Sequence, residues 1–457
     1  MSAPSNRTGR LRVDLVHDPI DRSLRVFALP LTFSFLVQFL YSLIDRYYVS
    51  RLGVDAIAAI GSIDQIAFFV FTLGSGFGVG SGVLISRRIG EGDRAEASRL
   101  ATQAIIGMLG ISTIVTIVMY GMMSFIPKAM GLPSTVSVYA HDYMSTLFLG
   151  LIGNFLMFQI SAIVRSTGNT VYPMVILLST TVINAIIAPL LIFGLGPFPV
   201  LGMKGAGLAT ASAQLAGAAL SMWAMTSGKA GLQPDLSSLK PRFDVIGRIA
   251  RQGVPASLQM LSVSLNRVGI FALAGAFGTN VIAAYTLGLY ADMIVYMFVF
   301  AVGMTVEVAT GQNLGAGTVD RIAAYHRSAI RQLSILMLCM GVVVYLFGPA
   351  FVGLFTTDPA TIDVATQYLH ISVIGYLFFS IGFVSVRVIS GAGAAFLSMG
   401  IAAGSMLGVQ LPLGHLLSSV VGWGHTGIWI AIVIGYGVFA GVAYAAYRMG
   451  RWKHVSV

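Results

Sequence analysis

Six small residues recur in the same order and at one constant spacing in the two halves of the chain. Gly53, Ala58, Ala59, Gly78, Gly90 and Gly92 return as Gly278, Ala283, Ala284, Gly303, Gly315 and Gly317, each pair 225 positions apart. Self-similarity over so long a period means one architecture built twice. The medium in which it is built follows from composition: 56% of residues are hydrophobic, 10% are charged, and the mean hydropathy is +0.85. No water-soluble domain hides that much apolar surface. The 457 residues accommodate about twelve bilayer-spanning helices of roughly 20 to 28 residues each, so the expected fold class is an all-α polytopic membrane protein.

Apolar runs fall near 25–50, 55–86, 96–124, 137–164, 171–194 and 204–226 in the first half. The second half has runs near 246–276, 280–312, 321–348, 362–390, 394–419 and 425–448. Helix-stop chemistry separates them, at Gly90 to Asp93, Gly131 to Ser134, Gly168-Asn169, Gly194 to Pro199, Thr356 to Pro359 and Gly391 to Gly393. The expected organisation is a cytoplasmic tail over 1–24, an N-lobe of helices 1–6 over 25–227, a cytoplasmic linker over 228–245 containing Pro234 and Pro241, a C-lobe of helices 7–12 over 246–448, and a tail over 449–457. The first apolar run is too long for a signal-peptide core and lacks a small-residue cleavage site, so it is expected to stay as helix 1.

The formal charge of +10 does not point to nucleic acid, because the basic residues stand singly between apolar runs without an aromatic-rich recognition module. Orientation explains them. With a cytoplasmic N-terminus and a change of side after each span, all of the 27 Lys and Arg residues except Arg46, Arg51, Lys128, Lys204 and Arg267 fall in the cytoplasm. Both termini are therefore expected inside a plasma (inner) membrane, and two six-span halves of like orientation make the repeat parallel rather than inverted. Arg165 and Arg387 read as structural cations at helix ends. Cys339 is the only cysteine, which excludes an internal disulfide and a Cys-based metal site.

The run from Leu43 to Gly53, with Asp45, Arg46, Tyr47 and Tyr48, followed by Ala56-Ile57-Ala58-Ala59, resembles the first helix and loop of the multidrug and toxic compound extrusion (MATE) transporters. Gly168-Asn169-Thr170, Asn184, the Gly205 to Thr210 segment and Gly311 to Gly317 extend the resemblance in the family's order. The resemblance implies two six-helix lobes around a central cavity, export of small organic molecules in exchange for protons or sodium, no cofactor and a monomer in the bilayer. It also implies that Asp45 couples transport to the ion.

The residues themselves lead to Asp45 as well, since a carboxylate inside a membrane is costly and marks function by default. It lies about five residues, or roughly 8 Å, from the outer end of helix 1. Ser34, Gln38, Tyr41, Asp45 and Tyr48 follow 4-3-4-3 spacing along one face. Arg46 points about 100° away and does not neutralise it. Asp64, Asn184 and Thr210 are candidate companions of the kind a hard cation requires. The family's sodium-binding members carry an aspartate one turn after the asparagine; here Ala188 stands there, which favours protons over sodium. Asp64 reads either as a replacement carboxylate or as a structural partner.

In the second half the acids are Asp292 and Glu307 on helix 8, the first facing either the cavity or the loop, the second a gate or a static salt bridge. Helix 7 lacks the glutamate that one branch of the family uses; its polar face is Gln259, Ser262, Asn266 and Arg267. The substrate cavity is expected from Gln38, Tyr41, Met157, Met174, Gln259, Met260, Asn266 and Tyr296, an adaptable apolar and aromatic surface suited to amphipathic, cationic organic compounds. His370 and His415 lack metal-ligand spacing and read as satisfied interior histidines. The repeated glycines read as close-packing positions, not phosphate loops.

These readings converge on a secondary active efflux antiporter working by alternating access. A lipid-linked oligosaccharide flippase of related two-lobe fold is the alternative, disfavoured by the scarcity of cavity arginines for a diphosphate. An enzyme lacks a nucleophile and base constellation, and a channel lacks a ring of filter residues. The repeat fails at the acids, with Asp45 opposite Ile270, Asp64 opposite Leu289 and Glu307 opposite Gly82, which assigns coupling chiefly to the first half.

Overall fold

The structure is a computed structural model and describes residues 13–455. Arg7, Arg10 and Arg12 of the expected N-terminal tail lie outside the described residues. Among the described residues there is no strand. The first half contains α1 (Ile20–Ser50), α2 (Val54–Gly90), α3 (Arg94–Met122), α4 (Ser134–Ser166, with a 3₁₀ turn at Phe148–Gly150), α5 (Val171–Phe193) and α6 (Met203–Thr226). The second contains α7 (Phe243–Gly275), α8 (Thr279–Gly315), α9 (Val319–Gly353), α10 (Pro359–Gly391), α11 (Ala395–Val420) and α12 (Gly424–Met449).

Eleven of these helices are long and apolar enough to cross a membrane. The remaining one, α6, has 24 residues, and its Gly, Ala, Ser and Thr content lowers its hydropathy while letting neighbours approach. A Cβ on Gly205 would overlap the backbone of Leu191 on α5, and one on Gly217 would lie 2.6 Å from the Thr180 hydroxyl oxygen. Small residues trade apolar area for close helix contact, the usual way of packing in lipid.

The repeated glycines divide into two kinds, which corrects the expectation that all serve packing. Gly53 and Gly278 precede α2 and α8 with φ of +112° and +104°, and Gly92 and Gly317 follow those helices with φ of +80° and +72°. An added Cβ at any of the four meets nothing within 4 Å, so glycine is required there for backbone conformation alone. Gly78 and Gly303 do pack: a Cβ at either would overlap the ring of Phe158 or Phe383, which are themselves 225 positions apart.

By internal contacts the chain forms two compact units, one of Leu29–Ser257 with residues up to Asp14, the other of Leu258 onward together with Leu15–Ala28. The divisions fall inside α1, beside Pro30, and inside α7, beside Pro255. In the first unit, α7 is held to α2 by glycine contacts at Gly76, Gly80 and Gly253, and Ser257 Oγ donates to Leu73 O at 2.9 Å. The 228–242 stretch is tied to α3, where Gln103 donates to Ser238 O (2.6 Å) and Lys240 O (3.0 Å) and accepts from Arg242 N (2.8 Å). Bonds from the Ser237 hydroxyl and amide hold the Asp235 carboxyl in this stretch below the usual carboxylate range.

The second unit captures the base of α1. Asn313 Nδ2 and the Tyr325 hydroxyl both donate to Leu15 O at 3.0 Å, and Arg321 donates to Asp18 O at 2.6 Å. Asp21 accepts from Ser328, Arg331 and Gln332 of α9. The helix begins five residues before the apolar run, where these partners satisfy its polar first turns. The unit's core contains Ile270, Tyr285, Tyr368 and Trp429.

Gly76 and Gly61 provide a paired test of glycine function. Gly76→Ala forces a Cβ into the Gly253 backbone and is expected to destabilise by about 1–3 kcal/mol. Gly61→Ala, on an open stretch of the same helix, is expected to stabilise by roughly 0.5–1 kcal/mol. Thermal unfolding of the two purified variants in detergent measures both signs.

Candidate functional site

Asp45 stands in α1 where the second half of the repeat places Ile270, a fully buried core residue. It is 7% exposed, and its Oδ1 has no hydrogen-bond partner. One turn earlier, the buried hydroxyl of Tyr41 is likewise unpartnered. Asn184 on α5 donates through Nδ2 to Thr210 Oγ1 on α6 at 3.4 Å, while its own Oδ1 stays without a partner. The charge of Asp45 bears on Tyr41 and on Tyr143 of α4. Asp45 Oδ1, the Tyr41 hydroxyl and Asn184 Oδ1 are thus three buried polar atoms without a hydrogen-bond partner, each costing about 1–3 kcal/mol.

Proline helps to set this geometry. Pro189 inside α5 has no N–H to offer the carbonyl four residues earlier. That carbonyl belongs to Ala185, the residue after Asn184, and it accepts a 3.4 Å bond from the Tyr48 hydroxyl of α1. The proline-freed acceptor thus fastens the polar face of α1 beside the helix that carries Asn184.

The other predicted residues separate. Asp64 is paired with Arg46 at 3.2 Å, the two side chains being 35% and 52% exposed respectively. The same contact takes the guanidinium away from Asp45. Of the expected cavity residues, Gln38, Tyr41, Met157 and Met174 lie in the first unit and Gln259, Met260, Asn266 and Tyr296 in the second. Gln38 and Met260 are exposed, and Met174 and Gln259 are half-buried. Met157 is wedged against Gly217 and accepts from Thr180 Oγ1 at 3.7 Å. Asn266 donates to Gln410 of α11 at 3.4 Å. Gln410 ends a π-helical stretch, Gly404–Gln410, whose extra residue per turn displaces the helical register.

Glu307, expected as a gate or a static bridge, is tied within the second unit. It accepts from Arg387 Nη1 at 3.2 Å and from Ser390 Oγ at 2.6 Å. Arg387 is therefore an internal ion-pair partner and not merely a helix-end cation; it also lies 4.6 Å from the centroid of the Phe383 ring. His415 is exposed, against the expectation of an interior position. His370 is half-buried and bonds through Nε2 to Tyr345 O at 3.0 Å, the carbonyl freed by Pro349. No group of three metal-binding side chains occurs among the described residues.

The sequence does not single out Tyr143, which comes within reach of the Asp45 charge through the packing of α4. Gln214, one turn after Thr210, also has a buried Oε1 without a partner.

Two similar sets of membrane-length helices define a polytopic membrane transporter of the repeat-built class. The family model MatE matches the chain twice, over residues 30–190 and 255–416, the two matches beginning at the spacing of the glycine repeat. The chain belongs to this family, the MATE transporters. It is similar to the probable multidrug resistance protein YoeA of Bacillus subtilis (strain 168), with 28% identity over 94% of each chain. An FAD transporter of Shewanella oneidensis is 26% identical over 80% of this chain and 81% of its own. A solved structure of a MOP superfamily transporter from Pyrococcus furiosus aligns with a TM-score of 0.89 at 24% identity, covering 97% of this chain and 98% of that one.

Two ion pairs should respond differently to truncation. Arg387→Ala strands the buried Glu307 carboxylate and is expected to cost about 3–5 kcal/mol. Loss of the exposed Arg46–Asp64 pair in Asp64→Asn should cost at most about 1 kcal/mol and leave transport largely intact. Detergent unfolding curves combined with dye efflux from proteoliposomes measure both effects.

Proposed function

We propose that this protein is a multidrug efflux antiporter of the plasma (inner) membrane, with both termini cytoplasmic, exporting amphipathic organic cations in exchange for protons. The observation that carries this reading is the Asp45 carboxylate in a core position, unpartnered at Oδ1, with further buried oxygens lacking a partner on Tyr41, one turn earlier, and on Asn184 of α5. In lipid, an ionised carboxylate in such a place is paid for only by an occupant.

A proton neutralises Asp45 and supplies an O–H that the free oxygens of Asn184 and Tyr41 can accept. An organic cation neutralises the same carboxylate by direct charge and by contact with aromatic faces. One carboxylate satisfied by either occupant but not both gives exchange: proton entry from outside displaces the substrate. Sodium is the weaker candidate, because Ala188 stands where a second carboxylate would complete an oxygen cage and Asp64 is engaged by Arg46. Alternating access follows if a lobe of residues 25–227 rocks against one of residues 246–448 as the carboxylate is filled and emptied.

Reconstitution into liposomes with separately imposed proton and sodium gradients tests this. An inward proton gradient is expected to drive cationic dye export and a sodium gradient alone to drive none. Asp45→Asn should lower gradient-driven export at least about tenfold, roughly 1.4 kcal/mol of lost coupling, while leaving dye binding measurable. Export by sodium alone, or full-rate export in Asp45→Asn, would refute the reading. FAD is the control cargo in view of the Shewanella relative, and its transport in preference to dye would overturn the assignment of organic cations.

A further inference from the structure

The second unit buries a carboxylate that the reading above does not use. Asp292 on α8 is 2% exposed, and residue 67, its counterpart in the repeat, is an alanine. The Tyr368 hydroxyl donates to Asp292 Oδ2 at 2.5 Å, and the Tyr376 hydroxyl donates to Oδ1 at 2.8 Å. These two tyrosines lie eight residues apart on α10, about two helical turns, so the carboxylate is held between them.

The surroundings are aromatic rather than basic. Asp292 forms no salt bridge among the described residues. Its charged and titratable neighbours are Arg267 on α7, Tyr285 and Tyr296 on α8, Tyr368 and Tyr376 on α10, and Tyr436 on α12. Arg267 acts from an exposed position. Tyr285 stacks on Trp429 at 5.5 Å and Tyr296 lies edge-on to Tyr376 at 5.8 Å. The Tyr296 hydroxyl is buried although its residue as a whole is half-buried.

We propose that Asp292 is a second proton-binding site, separate from Asp45, which takes up and releases a proton during the transport cycle. Two phenolic donors make the anion tolerable in an apolar core, since each bond to a charged acceptor is stronger than a neutral one. They also make the neutral acid tolerable. A proton delivered from water forms an O–H bond at Oδ1, and the new O–H donates to the Tyr376 oxygen. The Tyr376 hydroxyl then turns to another acceptor, and Ser372 Oγ already lies 3.5 Å away. The proton comes from hydronium and the carboxylate loses its charge, so the exchange balances without any other reactant. Tyr296 stands edge-on to Tyr376 as a further phenol beside the site.

Its transport consequence rests on the proton-exchange reading; its existence as a site does not. Infrared difference titration of the purified protein in nanodiscs without substrate tests the site directly. A carboxylic-acid carbonyl band that appears on acidification should persist in Asp45→Asn and be missing in Asp292→Asn. Tyr376→Phe, which removes a donor but keeps the acid, should retain the band and alter the pH at which it appears. In proteoliposomes Asp292→Asn is expected to take in one fewer proton equivalent per dye molecule exported, while Tyr345→Phe, at an exposed position on α9, leaves the ratio unchanged. An unaltered titrating band in Asp292→Asn, or the same band and pH dependence in Tyr376→Phe as in the parent, overturns the proposal even if proton-driven export holds. Absence of proton-driven export with the Asp292 band present overturns the efflux reading instead.

Discussion

The constraint on which the rest of this structure depends is the cost of placing an ionised group where lipid and apolar side chains leave no water to solvate it. The protein meets that cost in three ways. Glu307 is compensated by Arg387 and Ser390, and Asp292 by two tyrosine hydroxyls. Asp45 is compensated by nothing at Oδ1. Stability arguments account for the first arrangement, and the proposed function begins where they stop.

Backbone chemistry supplies the rigid frame around these groups. A proline within a helix frees a carbonyl, and in two places another helix uses it: Tyr48 donates to Ala185 O and His370 engages Tyr345 O. The same loss of a helical hydrogen bond therefore becomes an interhelical one, which is how prolines are tolerated in membrane helices. Glycines at φ near +100° start α2 and α8 in the same way. Because the glycine devices repeat while the acids do not, scaffold and chemistry are separable in this chain.

Helices α1 and α7 each take part in both compact units. The base of α1 is fastened to α9 through Asp21, whereas its Asp45 belongs with α5 and α6. The polar stretch before α7, which composition marks as a linker, is instead fastened to α3 by Gln103, and the chain changes unit beyond it.

What the sequence determined by itself was the helix count, the repeat, the family and the presence of a carboxylate, Asp45, inside a membrane helix, because hydropathy over a bilayer length and fixed glycine spacing are properties of the chain read one residue at a time. Local periodicity also placed Tyr41 on one helix face with Asp45, while the family resemblance marked Asn184. Tertiary structure decided the partners. It turned Arg46 to Asp64, buried Asp292 between two tyrosines 76 and 84 residues away, made Arg387 the partner of Glu307, and brought Tyr143 to the site. It also separated conformational glycines from packing glycines. The physical reason is that the worth of a charge or a small residue in lipid depends on which donor, acceptor or ring stands within a few ångströms, and long-range helix packing alone settles that.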